Sequence, residues 1–136
     1  MRKRIADNAI PVSTPLDVSF FKAWLDFTVP IHNLTNKERI VMAYYLLKRY
    51  ELSKVIMDDA ILAQVLSDTS TKQDIIKACD LKLSHLQVIL QKFKKSKIFV
   101  DGVIDPKLIP AITPEVEENG EFRLMILFDI TKKNDN

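Results

Sequence analysis

Between Phe93 and Ile104 the chain changes its period. Upstream, Leu86, Ile89, Leu90 and Phe93 fall at offsets 0, 3, 4 and 7, one apolar stripe on a helix running from 83 to about 95. Downstream, Ile98-Phe99-Val100 and Val103-Ile104 are two β-rich runs separated only by Asp101-Gly102. An Asp-Gly pair meets the positive φ angles of a two-residue turn, so the spacing predicts a tight antiparallel hairpin directly after the helix. Asp105-Pro106 closes that unit.

The elements before it read as helices. Thr35-Asn36-Lys37-Glu38 is a capping box, in which the threonine oxygen accepts from the third helical N–H and the glutamate reaches back to the cap. The helix it opens carries Ile40, Val41, Tyr44 and Leu47 as its stripe and runs to about Tyr50. A second follows over Asp58 to Leu66, with Asp58 and Asp59 at its positive end and Ile61, Leu62, Val65 and Leu66 as its buried face. A short helix from Ser70 to Asp80, capped by Ser70 or Thr71, turns Ile75, Ile76 and Cys79 inward, and Asp80-Leu81-Lys82 is a tight turn into the 83–95 helix.

The two ends are less regular. Residues 1–18 hold a basic start and two prolines and read as an extended arm. Phe20, Phe21, Trp24 and Leu25 have helical spacing, but a strand through Phe27-Thr28-Val29 fits as well; Val29-Pro30 ends either. The aromatic cluster serves core packing or, as the other use, anchors a partner. Past the hairpin, Asn119-Gly120 marks a turn, and Leu124-Met125-Ile126-Leu127-Phe128 is apolar on both faces of any strand. Such a run is covered on both sides, which makes Leu124, Ile126 and Phe128 the expected interface with a partner chain or a second copy. The expected layout is an arm at 1–18, one domain over 19–130 with its core at 35–105 and a C-terminal β extension at 106–130, then a polar tail at 131–136. The fold class is mainly α with a small antiparallel β part.

Composition removes most enzyme classes. Two glycines in 136 residues cannot build a Gly-rich phosphate loop, a dinucleotide fingerprint or a nucleophile elbow. The lone Cys79 makes no intrachain disulfide and no cysteine zinc site, and His32 and His85 lie too far apart for a local metal spacing. Cys79, with no histidine near it in sequence, reads as a buried small hydrophobe. Asp58-Asp59 and Glu117-Glu118 are explained by helix-start charge and loop solubility. No metal, cofactor, small-molecule substrate or catalytic residue is therefore expected. The longest strictly apolar or aromatic run, Ile40 to Leu47, is far short of the roughly 20 residues of a spanning helix. Met1-Arg2-Lys3-Arg4 is followed by polar residues and proline where a signal peptide needs an apolar stretch, so a cytoplasmic or virion-bound protein is expected.

Helix, helix, short helix, tight turn, longer helix and hairpin is the order of a winged helix-turn-helix domain. Residues 35–105 resemble that family, through Ile75, Ile76, Leu81, Leu86, Ile89, Leu90, Phe93 and the entry Lys94-Lys95-Ser96-Lys97-Ile98. Where the family's turn reads Leu-Gly-Ile and then Ser or Thr, this chain has Cys79-Asp80-Leu81 and Lys82; aspartate tolerates the left-handed conformation, and lysine is a poor helix cap. Leu34-Thr35-Asn36-Lys37-Glu38, Leu83-Ser84-His85-Leu86 through Lys97, and Leu127-Phe128-Asp129-Ile130 are also similar to small helix-turn-helix proteins of large Bacteroidetes phages, the crAss-like group. That resemblance implies a viral protein, regulatory or carried in the virion.

A helix of this kind places its N-terminal side chains against base edges while neighbouring cations meet phosphates. Ser84, Gln87 and Gln91 are suited to bases, Val88 to a thymine methyl or to another protein, and Lys92, Lys94, Lys95 and Lys97 to phosphates; His85 flanks the same helix. Charge follows this division. The net +2 of the whole chain hides +5 over residues 71–97, seven lysines against two aspartates, and −4 over residues 98–136. Two functions are expected from this: nucleic-acid contact through the 83–95 helix, or a phage head–tail connector or ring component that uses the same domain to dock protein.

Overall fold

A computed structural model describes residues 10–126 and 129–131 of the chain. It is mainly helical, with one two-stranded antiparallel sheet. Residues 10–15 form neither helix nor strand, Val18 of the expected arm is already the first residue of a helix, and the arm's basic start lies outside the described residues.

The aromatic stretch left open by periodicity is a helix. Helix α1 spans Val18–Phe27, started by Asp17, whose carboxylate accepts the Ser19 N–H at 2.8 Å. It buries Phe21 and Leu25. The helix ends at Phe27, just before Val29-Pro30 as expected, but Pro30 also opens a further element. It sits in the first turn of a second short helix, α2 at Val29–His32, where its missing N–H is one that the helix would leave unbonded anyway. Asn33, at φ 54°, closes α2.

Helix α3 covers Asn36–Ser53 and carries the expected capping box: Thr35 Oγ1 accepts from Glu38 N at 3.3 Å, and Glu38 Oε1 accepts from Thr35 N at 2.8 Å. Its buried side chains differ from the expected stripe. Val41, Met42, Ala43, Tyr45 and Leu46 are buried, whereas Ile40, Tyr44 and Leu47 are half-buried. A stripe presumes one covered face; α3 is instead packed by α1, α4 and α5 and is buried around more of its circumference.

Helix α4, Asp59–Leu66, is capped by Asp58, which accepts from the amides of Ala60 and Ile61 at 2.8 and 3.1 Å. Only Leu62 and Leu66 of its expected face are buried, and Ile61 is half exposed. Helix α5, Thr69–Cys79, begins one residue before the expected start and is capped by Asp68, not by Ser70 or Thr71. Thr71 is buried, and its hydroxyl donates to Val65 O at 2.7 Å, stitching α5 to the end of α4. Asp80 adopts the left-handed conformation (φ 53°), as expected of the residue in glycine's place. Helix α6 then spans Leu83–Lys95 and buries Leu86, Ile89 and Phe93; its cap position, Lys82, makes no side-chain cap bond.

The hairpin forms where the Asp-Gly pair places it. Strand β1 (Phe99–Val100) pairs with β2 (Val103–Ile104) in the register Phe99↔Ile104 and Val100↔Val103. Asp101 and Gly102 both have positive φ, 52° and 82°. A Cβ on Gly102 would lie 1.8 Å from the backbone oxygen of Ala63, so the turn sits directly on α4 and only glycine fits there. Phe99 closes the contact from the other strand, its ring 4.7 Å from that of Tyr45.

The expected β extension over 106–130 is not formed: among the described residues there is no strand after Ile104. A 3-10 turn at Pro106–Leu108 and a short helix α7 at Pro114–Asn119 stand there instead. Pro106 and Pro114 occupy first-turn positions, where a missing N–H leaves no gap, and Thr113 caps α7. Gly120, expected in a turn before a strand, is the left-handed residue that ends α7. Glu117 and Glu118 are accordingly on a helix, not in a loop. Leu124, Met125 and Ile126 find no neighbouring strand among the described residues and are exposed. The segment is anchored just before them by Phe122, which meets Phe20 and Trp24 edge-on at 5.1 and 5.7 Å. Trp24 Nε1 donates to Leu108 O at 2.8 Å, so this aromatic cluster packs the C-terminal segment onto α1. Among the described residues no helix is long and apolar enough to cross a membrane.

Candidate nucleic-acid interface

Helix α6 exposes one complete face. Ser84, His85, Gln87, Val88, Gln91, Lys92, Lys94 and Lys95 are all exposed, as is Lys97 just beyond. The buried residues of the helix lie on the opposite side, so the stripe that holds α6 to the core also fixes which side chains point outward. No carboxylate occurs anywhere from Leu81 to Val100. Val88 is 69% exposed on this face, and Leu83, at the first helical position and not among the expected contact residues, is 44% exposed. Its offset, three residues before Leu86, places it beside the buried stripe, so its exposure left no signal in the sequence.

The lysines are not equivalent. Lys92 Nζ lies 2.9 and 2.8 Å from the two carboxylate oxygens of Glu38. That carboxylate is the capping-box group of α3, and it is largely buried. Burial alone would raise its pKa, but the bond from Lys92 and the bonds to Thr35 outweigh this and hold it below the usual value. Lys92 therefore clamps α6 to the start of α3. Lys94, Lys95 and Lys97 have no ion-pair partner among the described residues. Glu38 was legible as a cap, yet its second bond, across 54 positions of sequence, left no local signal.

Lys97 sits at a special backbone position. Its φ is 61°, and around it the Ile98 N–H reaches back to Phe93 O at 3.0 Å and the Lys97 N–H to Lys94 O at 3.1 Å. This is the helix-ending arrangement in which glycine normally occupies the left-handed place. A cation stands there at some strain, beside the other two unpaired lysines.

The hairpin adds no cation to this surface. Residues 98–105 contain Asp101 and Asp105 and no basic side chain, and the turn rests on Ala63 of α4. The cations of this surface are thus those of α6 and the Lys94–Lys97 shoulder.

Elsewhere the chemistry is structural. His32 is buried; its Nδ1 accepts the Leu34 N–H at 2.9 Å, so Nε2 carries the proton and donates to Leu25 O at 2.8 Å. Burial lowers its pKa, with Arg39 adding to the effect and Asp26 opposing it. Cys79, expected to be buried, is half-buried at the end of α5, and burial raises its thiol pKa to about 11. Tyr50 donates to Glu117 Oε1 at 2.5 Å, which ties α7 to α3. Among the described residues no group of three or more His, Cys, Asp or Glu side chains is placed to hold a metal. Of the expected interface residues, Leu124 and Ile126 are exposed and Phe128 lies outside the described residues. Comparison with protein-family models, characterised proteins and solved structures finds no match.

Proposed function

We propose that this chain is a non-enzymatic winged-helix protein that binds nucleic acid through the outward face of α6. The observation that carries the reading is that face itself: a helix whose exposed side chains are, apart from Val88 and Leu83, hydrogen-bonding or cationic, with no acidic residue between Leu81 and Val100. Ser84, His85, Gln87, Val88 and Gln91 are placed to meet base edges, and Lys94, Lys95 and Lys97 to meet phosphates. Lys92 serves the same surface from behind, by holding α6 against α3 through Glu38. The hairpin turn is packed on α4, so the reading assigns recognition to the helix rather than to a projecting wing.

Titration of a DNA duplex, a DNA single strand and an RNA hairpin with the purified chain tests this. Binding that weakens steeply as salt rises is the expected result, because each neutralised phosphate releases counterions. Absence of salt-sensitive binding to all three overturns the reading.

A second reading, a structural or assembly component of a phage virion, of head–tail connector or ring type, is favoured by one observation. Val88, at the centre of the α6 face, is 69% exposed and apolar. An apolar centre with a polar rim is also the anatomy of a protein-docking surface. Under this reading Val88→Asp abolishes assembly into a ring-sized particle, measured by mass in solution.

A further inference from the structure

The groove between α4 and the hairpin is lined by two opposite charges and otherwise by apolar groups. Its volume is about 440 Å³, within the roughly 300–1,000 Å³ of small-molecule sites. Leu62, Leu66 and Ile104 close its back and are covered, while Ala63, Val103 and Ile109 form its accessible sides; Val103 is 57% exposed. The walls are stiff. Pro106 and Pro110 fix one side, and the Gly102 turn is pressed against the backbone of Ala63. A preformed groove spends little of its binding energy on ordering itself.

Both charges are unspent. Arg49 of α3 and Asp59, in the first turn of α4, line the groove, and among the described residues neither side chain has an ion-pair partner, nor are they paired with each other. The carboxylates around them are engaged elsewhere. Asp58 caps α4, and Asp105 accepts the Lys107 N–H. Glu117, across a smaller cavity that Arg49 also borders, is held by Tyr50 and Lys54.

This pattern selects a ligand. An anion with no cationic group meets Asp59 uncompensated, and a cation with no anionic group meets Arg49. A neutral apolar body leaves both charges unpaired at its rim. A molecule that carries a carboxylate, an ammonium and an aliphatic body answers all three features: the carboxylate on the guanidinium fork of Arg49, the ammonium on Asp59, and the body against Val103 and Ile109. No aromatic ring lines the groove, and every apolar wall is aliphatic.

We propose that the groove is a binding site for a free α-amino acid with a branched aliphatic side chain. The site is independent of what α6 binds.

Calorimetric titration of the full chain with leucine, isocaproate, isoamylamine and glycine tests it, with the unfolding midpoint as a second readout. Isocaproate lacks the ammonium, isoamylamine the carboxylate, and glycine the aliphatic body. Leucine binds at least about tenfold more tightly than each of the three, because each loses a charged hydrogen bond or the apolar contact. It also raises the unfolding midpoint. Arg49→Gln removes the preference for leucine over isoamylamine, and Asp59→Asn removes the preference over isocaproate. Asp59 is exposed, so Asp59→Asn and the ligand series decide the matter even where Arg49→Gln fails to fold. Neither heat nor a midpoint shift with millimolar leucine, isoleucine or valine overturns the proposal. Isocaproate or isoamylamine binding as tightly as leucine makes the site one for a simple anion or cation and overturns it too. Leucine binding unchanged in Asp59→Asn places the ligand outside the groove and likewise overturns it.

Discussion

Lys92 Nζ and Glu38 Oε2 meet at 2.8 Å, and through them the C-terminal half of α6 is fastened to the first turn of α3. The carboxylate does two jobs at once, capping α3 through Thr35 and holding the one lysine of the α6 shoulder that is not free. Glu38→Gln weakens both bonds. It should lower stability by about 1 kcal/mol, the usual size of a lost cap, with little from the half-exposed lysine. At the same time it removes an acid from the base of the interface and releases Lys92, so affinity for nucleic acid should rise. Urea unfolding and a binding titration on the same preparation read both effects; a fall in affinity would show that Lys92 acts only from its clamped position.

Lys97 offers a trade between stability and binding. A lysine at φ 61° is strained by roughly 1 kcal/mol relative to glycine, which has no Cβ to clash. Lys97→Gly should therefore raise the urea midpoint while weakening nucleic-acid binding and making it less dependent on salt. A stabilised variant with unchanged affinity would remove Lys97 from the interface.

Gly102 has no such freedom. Its φ of 82° and the 1.8 Å approach of a Cβ to Ala63 O mean that Gly102→Ala must move the hairpin off α4. The expected loss is about 3 kcal/mol, combining overpacking with backbone strain. Thermal unfolding followed by circular dichroism checks it, and a neutral substitution would place the turn away from α4.

Stability should also depend on pH through His32. Its folded pKa lies below the unfolded value of 6.5, because burial disfavours the charged ring and Arg39 adds to this, against the opposing effects of the bond to Leu25 O and of Asp26. The unfolded chain then binds more protons than the folded one, so this contribution is complete above pH 6.5 and is lost as pH falls through the folded pKa. Glu38 and Asp26, whose pKa values are also lowered, add a further loss only below about 4.5 and 3.8. Urea midpoints should begin to drop in the pH range just below 6.5 for the wild type and remain level there in His32→Gln. Parallel curves for the two proteins would contradict this.

The helical half of the molecule was legible because its signals are local. The Thr35–Glu38 box, the Asp80 turn, the α6 stripe and the Asp101-Gly102 hairpin each act within a few residues, and each stands in the structure where periodicity places it. What escaped depends on distant partners. The buried face of α3 is set by three helices packed around it, so one stripe could not describe it. The apolar run from Leu124 reads as a strand, but a strand needs a neighbour, and among the described residues Leu124, Met125 and Ile126 have none. The same applies to the site: the exposed face of α6 followed from its spacing, whereas the pairing of Lys92 with Glu38 and the strain at Lys97 required the fold.

The central claim, that the unpaired lysines beside α6 meet phosphates, is tested most directly by the salt dependence of duplex binding. The logarithm of affinity should fall linearly with the logarithm of salt concentration, with a slope of about 0.9 for each phosphate neutralised. The triple variant Lys94→Ala, Lys95→Ala, Lys97→Ala should flatten that slope by between about 2 and 3, whereas Lys107→Ala, an exposed lysine of the Pro106–Leu108 turn, should leave it unchanged. Equal slopes for the wild type and the triple variant would contradict the account.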